Sequence, residues 1–303
     1  MALTRISTYA QHQSTLRDMT QVQTRLIDLQ NQISSGLKTP NFAGIAGEVE
    51  MLAAIEHKIS RTRDYVDNNS VTLTRLTTTR NAIDAIIQVA TDLRNQVLLR
   101  RNASFGNHDA FRAQVESGWR QIVGQLNVTS SGRHVFSGTR TDSPAVDDSS
   151  VPTLAVVGIA DDGYYLGSKE NVTARLQEDY DLELDVRADN EAFQNLMAGI
   201  AMAMQGNEAN DDASLVRAYD MLSGALDGAT SLQATVNADI VAVNQINEQH
   251  DAQRLYWQSV KEDLVNTDLV AAATEVARNQ GLMQASFQIF ARISALRLSD
   301  YLR

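Results

Sequence analysis

"LVRAYDMLSGALDGATSLQATVNADIVAVNQINEQHDAQRLYWQSVKEDL", Leu215 to Leu264, holds no proline and repeats on a period of seven. Leu215, Leu222, Ala229, Val236, Val243, His250, Trp257 and Leu264 form one line of the repeat. Ala218, Ala225, Leu232, Ile246 and Val260 sit three residues further on. Spacings of three and four place apolar residues on one stripe of a helix, and a repeat of seven held this long winds that helix about a partner. The stretch therefore predicts a long helix that is incomplete alone. His250, inside the line, reads as a tolerated polar position and not as a ligand.

A second such stretch lies upstream. Ile45, Leu52, Ile59, Val66 and Leu73 recur at sevens, and Leu76, Ile83, Ala90 and Val97 continue the repeat on a shifted register. Two rods in opposite halves of one chain pair antiparallel, because the chain turns back between them. A shorter helix follows the first rod, with Phe111, Val115, Trp119, Ile122 and Leu126 on one face. Before the second rod, Asp189 is placed to cap "NEAFQNLMAGIAMAM".

Both ends are amphipathic. Leu16, Met19, Val22, Leu26, Leu29 and Ile33 make a narrow seam on a first helix that Ser34-Ser35-Gly36 ends and Pro40 prevents from resuming. The last helix, from Thr267, carries two stripes: Leu269, Ala273, Val276, Met283, Phe287 and Phe290 form one, and Leu282, Ile289, Ile293 and Leu296 the other. A helix with two apolar stripes is covered on more than one side. The short first helix covers one, and further subunits are expected to cover the other, with extra burial within the chain as the alternative.

The middle is different text. "GRHVFSGTRTDSPAV", Gly132 to Val146, crowds glycine, proline and β-branched residues together. "SSG" occurs at Ser34–Gly36 and again at Ser130–Gly132, and in both places glycine is expected to cap a helix. "ADDGYYLGS" carries an Asp-Gly turn, and Leu182, Leu184 and Val186 alternate onto one face. The fold predicted is mainly α: long antiparallel coiled-coil rods, paired N- and C-terminal helices, and a small β-rich domain inserted mid-chain. The expected domains are 1–40 with 265–303 (terminal pair), 41–135 with 189–264 (rods) and 136–188 (insert).

Composition narrows the function. The net charge is −11, distributed as +3 over 1–131, −11 over 132–212 and −3 over 213–303. An acidic middle argues against nucleic acid as a partner, since phosphate binding requires a basic surface. There is no cysteine, and hence no disulfide frame, thiolate metal site or thiol nucleophile. The start, "MALTRISTYAQHQ", lacks the apolar run of a secretory signal, and no stretch is apolar enough for a membrane span.

No catalytic constellation stands out. His12, His57, His108, His134 and His250 show no metal-ligand spacing, and neither phosphate-binding nor nucleophile-elbow motifs occur. Glu178, Asp179, Asp181, Glu183 and Asp185 lack EF-hand spacing and read as a solvated strand edge. The expectation is a protein without cofactor, metal or catalytic residues.

Three segments together resemble the flagellin superfamily. "RLIDLQNQISSGLKTPN", Arg25 to Asn41, is similar to its N-terminal helix ending at S-S-G, although "LKTPNFAG" stands where an acidic loop is usual. "VARNQGLMQASFQIFARISALRLSDYLR" is similar to its closing helix, with Gln280, Gln284 and Ala285 in matching places. The 132–146 stretch resembles the pattern G-[RQ]-Y-[LV]-F-[AS]-G-T-[KR]-T-D-x-P, with Gly132, Phe136, Gly138, Thr139, Thr141, Asp142 and Pro144 matching. With the ending Leu298-Ser299-Asp300-Tyr301-Leu302, that pattern favours the hook–filament junction branch over filament flagellin.

The resemblance implies a structural subunit, exported by the flagellar type III apparatus and assembled outside the cell to connect hook to filament. It also implies self-association into a ring or tube, contact with other hook-associated proteins and flagellin, and an export chaperone. The terminal helices would line the inner tube and the insert would face outward. A flagellin of the filament itself is the alternative, and a cytoplasmic coiled-coil scaffold a more distant one.

Overall fold

The computed structural model describes residues 2–39, 47–102, 108–149, 151, 154, 156 and 158–301, with side chains described from residue 13 to residue 292 and at residue 10. Pro40, Ile45 and Pro152 lie outside the described residues, as do the side chains of Ile293, Leu296 and the 298–302 ending. The described elements run in the order α1 (Ala2–Ser35), α2 (Val49–Arg101), α3 (His108–Leu126), β1 (Thr129–Ser130), β2 (Arg133–His134), β3 (Val172–Gln177), β4 (Tyr180–Leu184), α4 (Glu191–Ala209), α5 (Asp212–Val265) and α6 (Leu269–Tyr301). They fall into two compact units, Met1–Arg61 with Gln253–Arg303, and Thr62–Ala252. The helical rods with paired ends and the strand-bearing insert are the architecture expected.

In the larger unit α2 and α5 run antiparallel, as a ladder of contacts shows. The ring of Tyr65 stacks on His250, Asn69 Nδ2 donates to Asn247 Oδ1 at 2.8 Å, Gln233 donates to Asp84, and Arg101 pairs with Asp212. As the α2 number rises the α5 number falls in step. In the smaller unit Lys58 lies over the ring of Trp257 and Lys261 pairs with Glu56, in the same sense.

The expected line on α5 is buried from Leu215 through Leu222, Ala229, Val236 and Val243 to His250, and half-buried at Trp257 and Leu264. On α2 the reading needs correction. Ile59, Val66 and Leu73 are only half-buried, and the continuous buried line is Ile55, Thr62, Asn69, Leu76, Ile83, Ala90 and Val97. Along that line no register shift occurs. The line passes through two polar residues, Thr62 and Asn69, and an apolar count cannot see them.

Asn69 has a partner in the insert. The β3–β4 hairpin is antiparallel, with an irregularity between Arg175 and Gln177. A bulge leaves backbone groups outside the ladder. Leu176, at that bulge, buries its side chain fully, and its carbonyl accepts from Asn69 Nδ2 at 3.2 Å and bonds His250 Nε2 at 2.9 Å. One residue from each rod therefore grips one carbonyl of the insert, which gives His250 a structural role.

The face expected on α3 is buried at Phe111, Val115, Trp119, Ile122 and Leu126. Helix α4 starts one residue later than the sequence suggested. Its N-cap is Asn190, whose side chain accepts from Ala192 N at 3.0 Å, whereas the Asp189 carboxylate pairs with Arg187 at 2.8 Å. Asp189 loses the competition because a guanidinium two residues away claims its oxygens. Asn190→Ala should therefore cost about 1 kcal/mol in urea unfolding.

Candidate functional site

Two regions carry the sequence-predicted site residues: the terminal helix pair and the 132–146 segment.

In the smaller unit α1 packs along α6. From α1, Met19, Val22 and Leu26 are half-buried and Leu29 is fully buried, at steps of three and four. From α6 the inward line is Ala272, Val276, Asn279, Met283 and Phe290. The small Ala272 on this line suits closely spaced helices, since interaxial distance follows side-chain size at the contact. Leu16 and Ile33 of the expected α1 seam are exposed, beside an exposed Ile27. On α6, Ala273 is exposed, as are Leu269 (52%), Leu282 (49%), Phe287 (55%) and Ile289 (55%). The expected stripe of Leu269, Ala273, Val276, Met283, Phe287 and Phe290 thus divides: Val276, Met283 and Phe290 turn inward, and Leu269, Ala273 and Phe287 outward.

The joint beneath this pair is built from the residues after α1. Gly36 N donates to Gln32 O at 2.8 Å, closing the helix as expected of the first S-S-G. The chain then pairs with the α5–α6 connection: Thr267 N donates to Gly36 O at 2.8 Å and Lys38 N to Val265 O at 2.9 Å. Lys38 Nζ donates to the carbonyls of Asp263 at 2.7 Å and Leu264 at 2.9 Å. A cation on the last carbonyls of α5 satisfies orphan acceptors and opposes the negative end of the helix dipole. On the other side of the connection, Asp268 Oδ1 accepts from Val270 N and Ala271 N and so starts α6.

The 132–146 segment differs from its sequence reading at the outset. Helix α3 already ends at Leu126, and Gly132 caps no helix. Ser131 (φ 51°) and Gly132 (φ 76°) form the two-residue loop between paired Ser130 and Arg133. Two central residues at positive φ make a type I′ hairpin turn, whose twist suits a tight antiparallel pair. The two S-S-G stretches are alike in sequence and differ in structure, because a short strand rather than a helix leads into the second.

Beyond the turn the segment is fixed by backbone bonds. His134 N donates to Thr141 O at 2.8 Å, Ser168 N to Ser137 O at 2.9 Å, Thr139 N to Glu170 O at 3.2 Å and Ala188 N to Phe136 O at 3.0 Å. The Asn127 side chain bonds both the N–H and the carbonyl of Val146, as a strand neighbour would. Arg75 from α2 donates to Val135 O at 3.0 Å. Phe136 is fully buried, edge-on to Phe193 of α4 with ring centroids 5.8 Å apart. Thr139, Asp142 and Pro144 are exposed, and Gly138 is buried. Nearby, Tyr164 Oη donates to Ala188 O at 2.6 Å, and burial followed by the Asp189 charge pushes its phenol well above its ordinary range.

The Asp-Gly turn closes on Asp161 Oδ1, which accepts from Gly163 N at 3.0 Å. In the acidic run, Asp181 pairs with Arg175 at 2.9 Å. Among the described residues no group of three His, Cys, Asp or Glu side chains is placed to hold a metal ion. No helix of the described residues is long and apolar enough to cross a membrane.

A helical pair at the chain ends, antiparallel helices and a strand-bearing insert make up the described architecture. Residues 6–141 match the family described as the bacterial flagellin N-terminal helical region. Among solved structures, a flagellar hook-associated protein from Vibrio parahaemolyticus is similar at 18% identity and a TM-score of 0.55, over 70% of this chain and 95% of that one. FlgL from Bacillus cereus is similar at 14% identity and a TM-score of 0.56, over 70% of this chain and 99% of that one. No curated protein sequence matches the chain.

Proposed function

We propose that the chain is a structural subunit of the bacterial flagellum that assembles at the hook–filament junction. The carrying observation is the outward apolar face of the terminal pair: Leu16, Ile27 and Ile33 on α1, and Leu269, Leu282, Phe287 and Ile289 on α6. Large exposed apolar faces mark surfaces that a partner covers. Copies of the same chain, meeting head to tail through such a face, build a ring or tube. Residues 1–40 and 265–303 form the inner layer of that tube, 41–135 and 189–264 the layer around it, and 136–188 the outer surface. The fold likeness to a hook-associated protein and to FlgL favours the junction over the filament. The family match to the flagellin N-terminal region also supports filament flagellin as the second reading.

The role is structural and not catalytic. Export through the flagellar apparatus carries the chain outside the cell, with an export chaperone before assembly, and hook-associated proteins and flagellin are its neighbours there. Imaging cells that lack the gene tests the reading: hooks without filaments, with flagellin shed to the medium, support it. Long filaments grown from the purified chain alone would favour flagellin. Phe287→Asp should change stability by no more than about 0.5 kcal/mol, as an exposed substitution does. The variant should nonetheless fail to restore filaments in such cells, because an ionised carboxylate cannot be buried unpaired in a subunit contact.

A further inference from the structure

The second line of the α5 seam runs Ala218, Ala225, Leu232, Ile246 and Val260, and the place between Leu232 and Ile246 belongs to Asp239. A carboxylate stands where the repeat asks for an apolar side chain. Asp239 is half-buried and lines a cavity of about 10 Å³, too small for an organic ligand. The other walls are Arg75, Leu76 and Thr79 of α2, Val135, Val236 of α5, and Leu184, Asp185 and Val186 at the end of β4. A second carboxylate, Asp185 of the insert, thus shares the cavity with the first.

The nearby cations are engaged elsewhere. Arg75 donates to Val135 O, and burial together with neighbouring Arg133 disfavours its charge. Arg187, whose charge reaches Asp185, is held in its ion pair with Asp189. Burial, and then the Asp185 charge, push the Asp239 carboxyl up to about 6.

We propose that Asp185 and Asp239 form an acid-sensitive clasp that seats the end of the β4 strand against α5. With both carboxylates ionised, their repulsion loosens residues 184–186 from the rod. One proton taken up at Asp239 removes the repulsion and closes the contact. The sign follows from linkage: the folded chain holds this proton more tightly than the unfolded chain. The contribution is therefore full below about pH 4 and is lost as pH rises to about 6. The clasp is independent of the role proposed for the terminal helices.

Amide exchange of the full chain, corrected for intrinsic rates, tests it at pH 5.0, 6.0 and 7.5. Protection over residues 182–188 should rise at least about threefold as the wild type goes from pH 7.5 to 5.0, a modest change because Asp239 is partly solvated. Asp239→Asn should hold the acid-level protection at every pH. Asp185→Asn, with the partner charge removed, should move the wild-type midpoint to lower pH. Contributions common to all three proteins cancel in the comparison. Parallel pH profiles in wild type and Asp239→Asn would overturn the proposal. If Asp239→Asn does not fold, an unmoved midpoint in Asp185→Asn overturns it equally.

Discussion

Gly138→Ala is expected to destabilise the larger unit by about 2–5 kcal/mol, as the sum of a left-handed backbone and a forced contact. Gly138 has φ 62°, a conformation costly for any residue with a side chain. An added Cβ would also overlap the carbonyl oxygen of Ser168 and lie 2.7 Å from that of Glu170. Both neighbours are backbone, and both are tied to this segment: Ser168 N donates to Ser137 O, and Glu170 O accepts from Thr139 N. Relieving the overlap therefore breaks the bonds that hold the 137–139 chain. Urea unfolding followed by circular dichroism would measure the loss. A cost under about 0.5 kcal/mol, ordinary for a surface site, would contradict the account.

Phe136→Ala should cost about 3–5 kcal/mol, the usual range for deleting a fully buried aromatic ring. The ring is fully buried and packs edge-on against Phe193, so its removal leaves a cavity between the segment and α4. Such a loss is a large share of a typical domain stability of about 5–15 kcal/mol. Both Phe136 and Phe193 belong to the core that unites α2–α5 with the insert. The effect should therefore appear as a lower midpoint of one cooperative transition, read by thermal or urea melting. Since Phe136 and Gly138 are two residues apart and share one anchored segment, the double variant should fall short of additivity.

The long helices were legible because burial along them is periodic and strong. The α5 line from Leu215 to His250 and the α3 face from Phe111 to Leu126 are where spacing placed them. Legibility failed wherever a polar or small residue took a buried place. Thr62 and Asn69 complete the α2 line, Asn279 and Ala272 face α1, and Asp239 fills a gap in the α5 repeat. Apolar counting passes over each. Asn69 is satisfied by Leu176 O, 107 residues away.

The candidate site divides in the same way. That α6 carries more apolar surface than one helix can cover was evident from its two stripes. Which residues turn outward was not, since Phe287 and Phe290 are equally apolar and only packing against α1 separates them. Lys38 gave no local sign that it caps the end of α5.

The amino-acid sequence by itself determined the helical rods, the pairing of the two ends and the place of the insert. These follow from periodicity and from the positions of glycine and proline, which act over a few residues. Tertiary structure alone decided the register of the rods and the outward face of α6. Each of these depends on groups far apart in the chain satisfying one another's hydrogen bonds or excluding one another's volume. No local pattern records such a match.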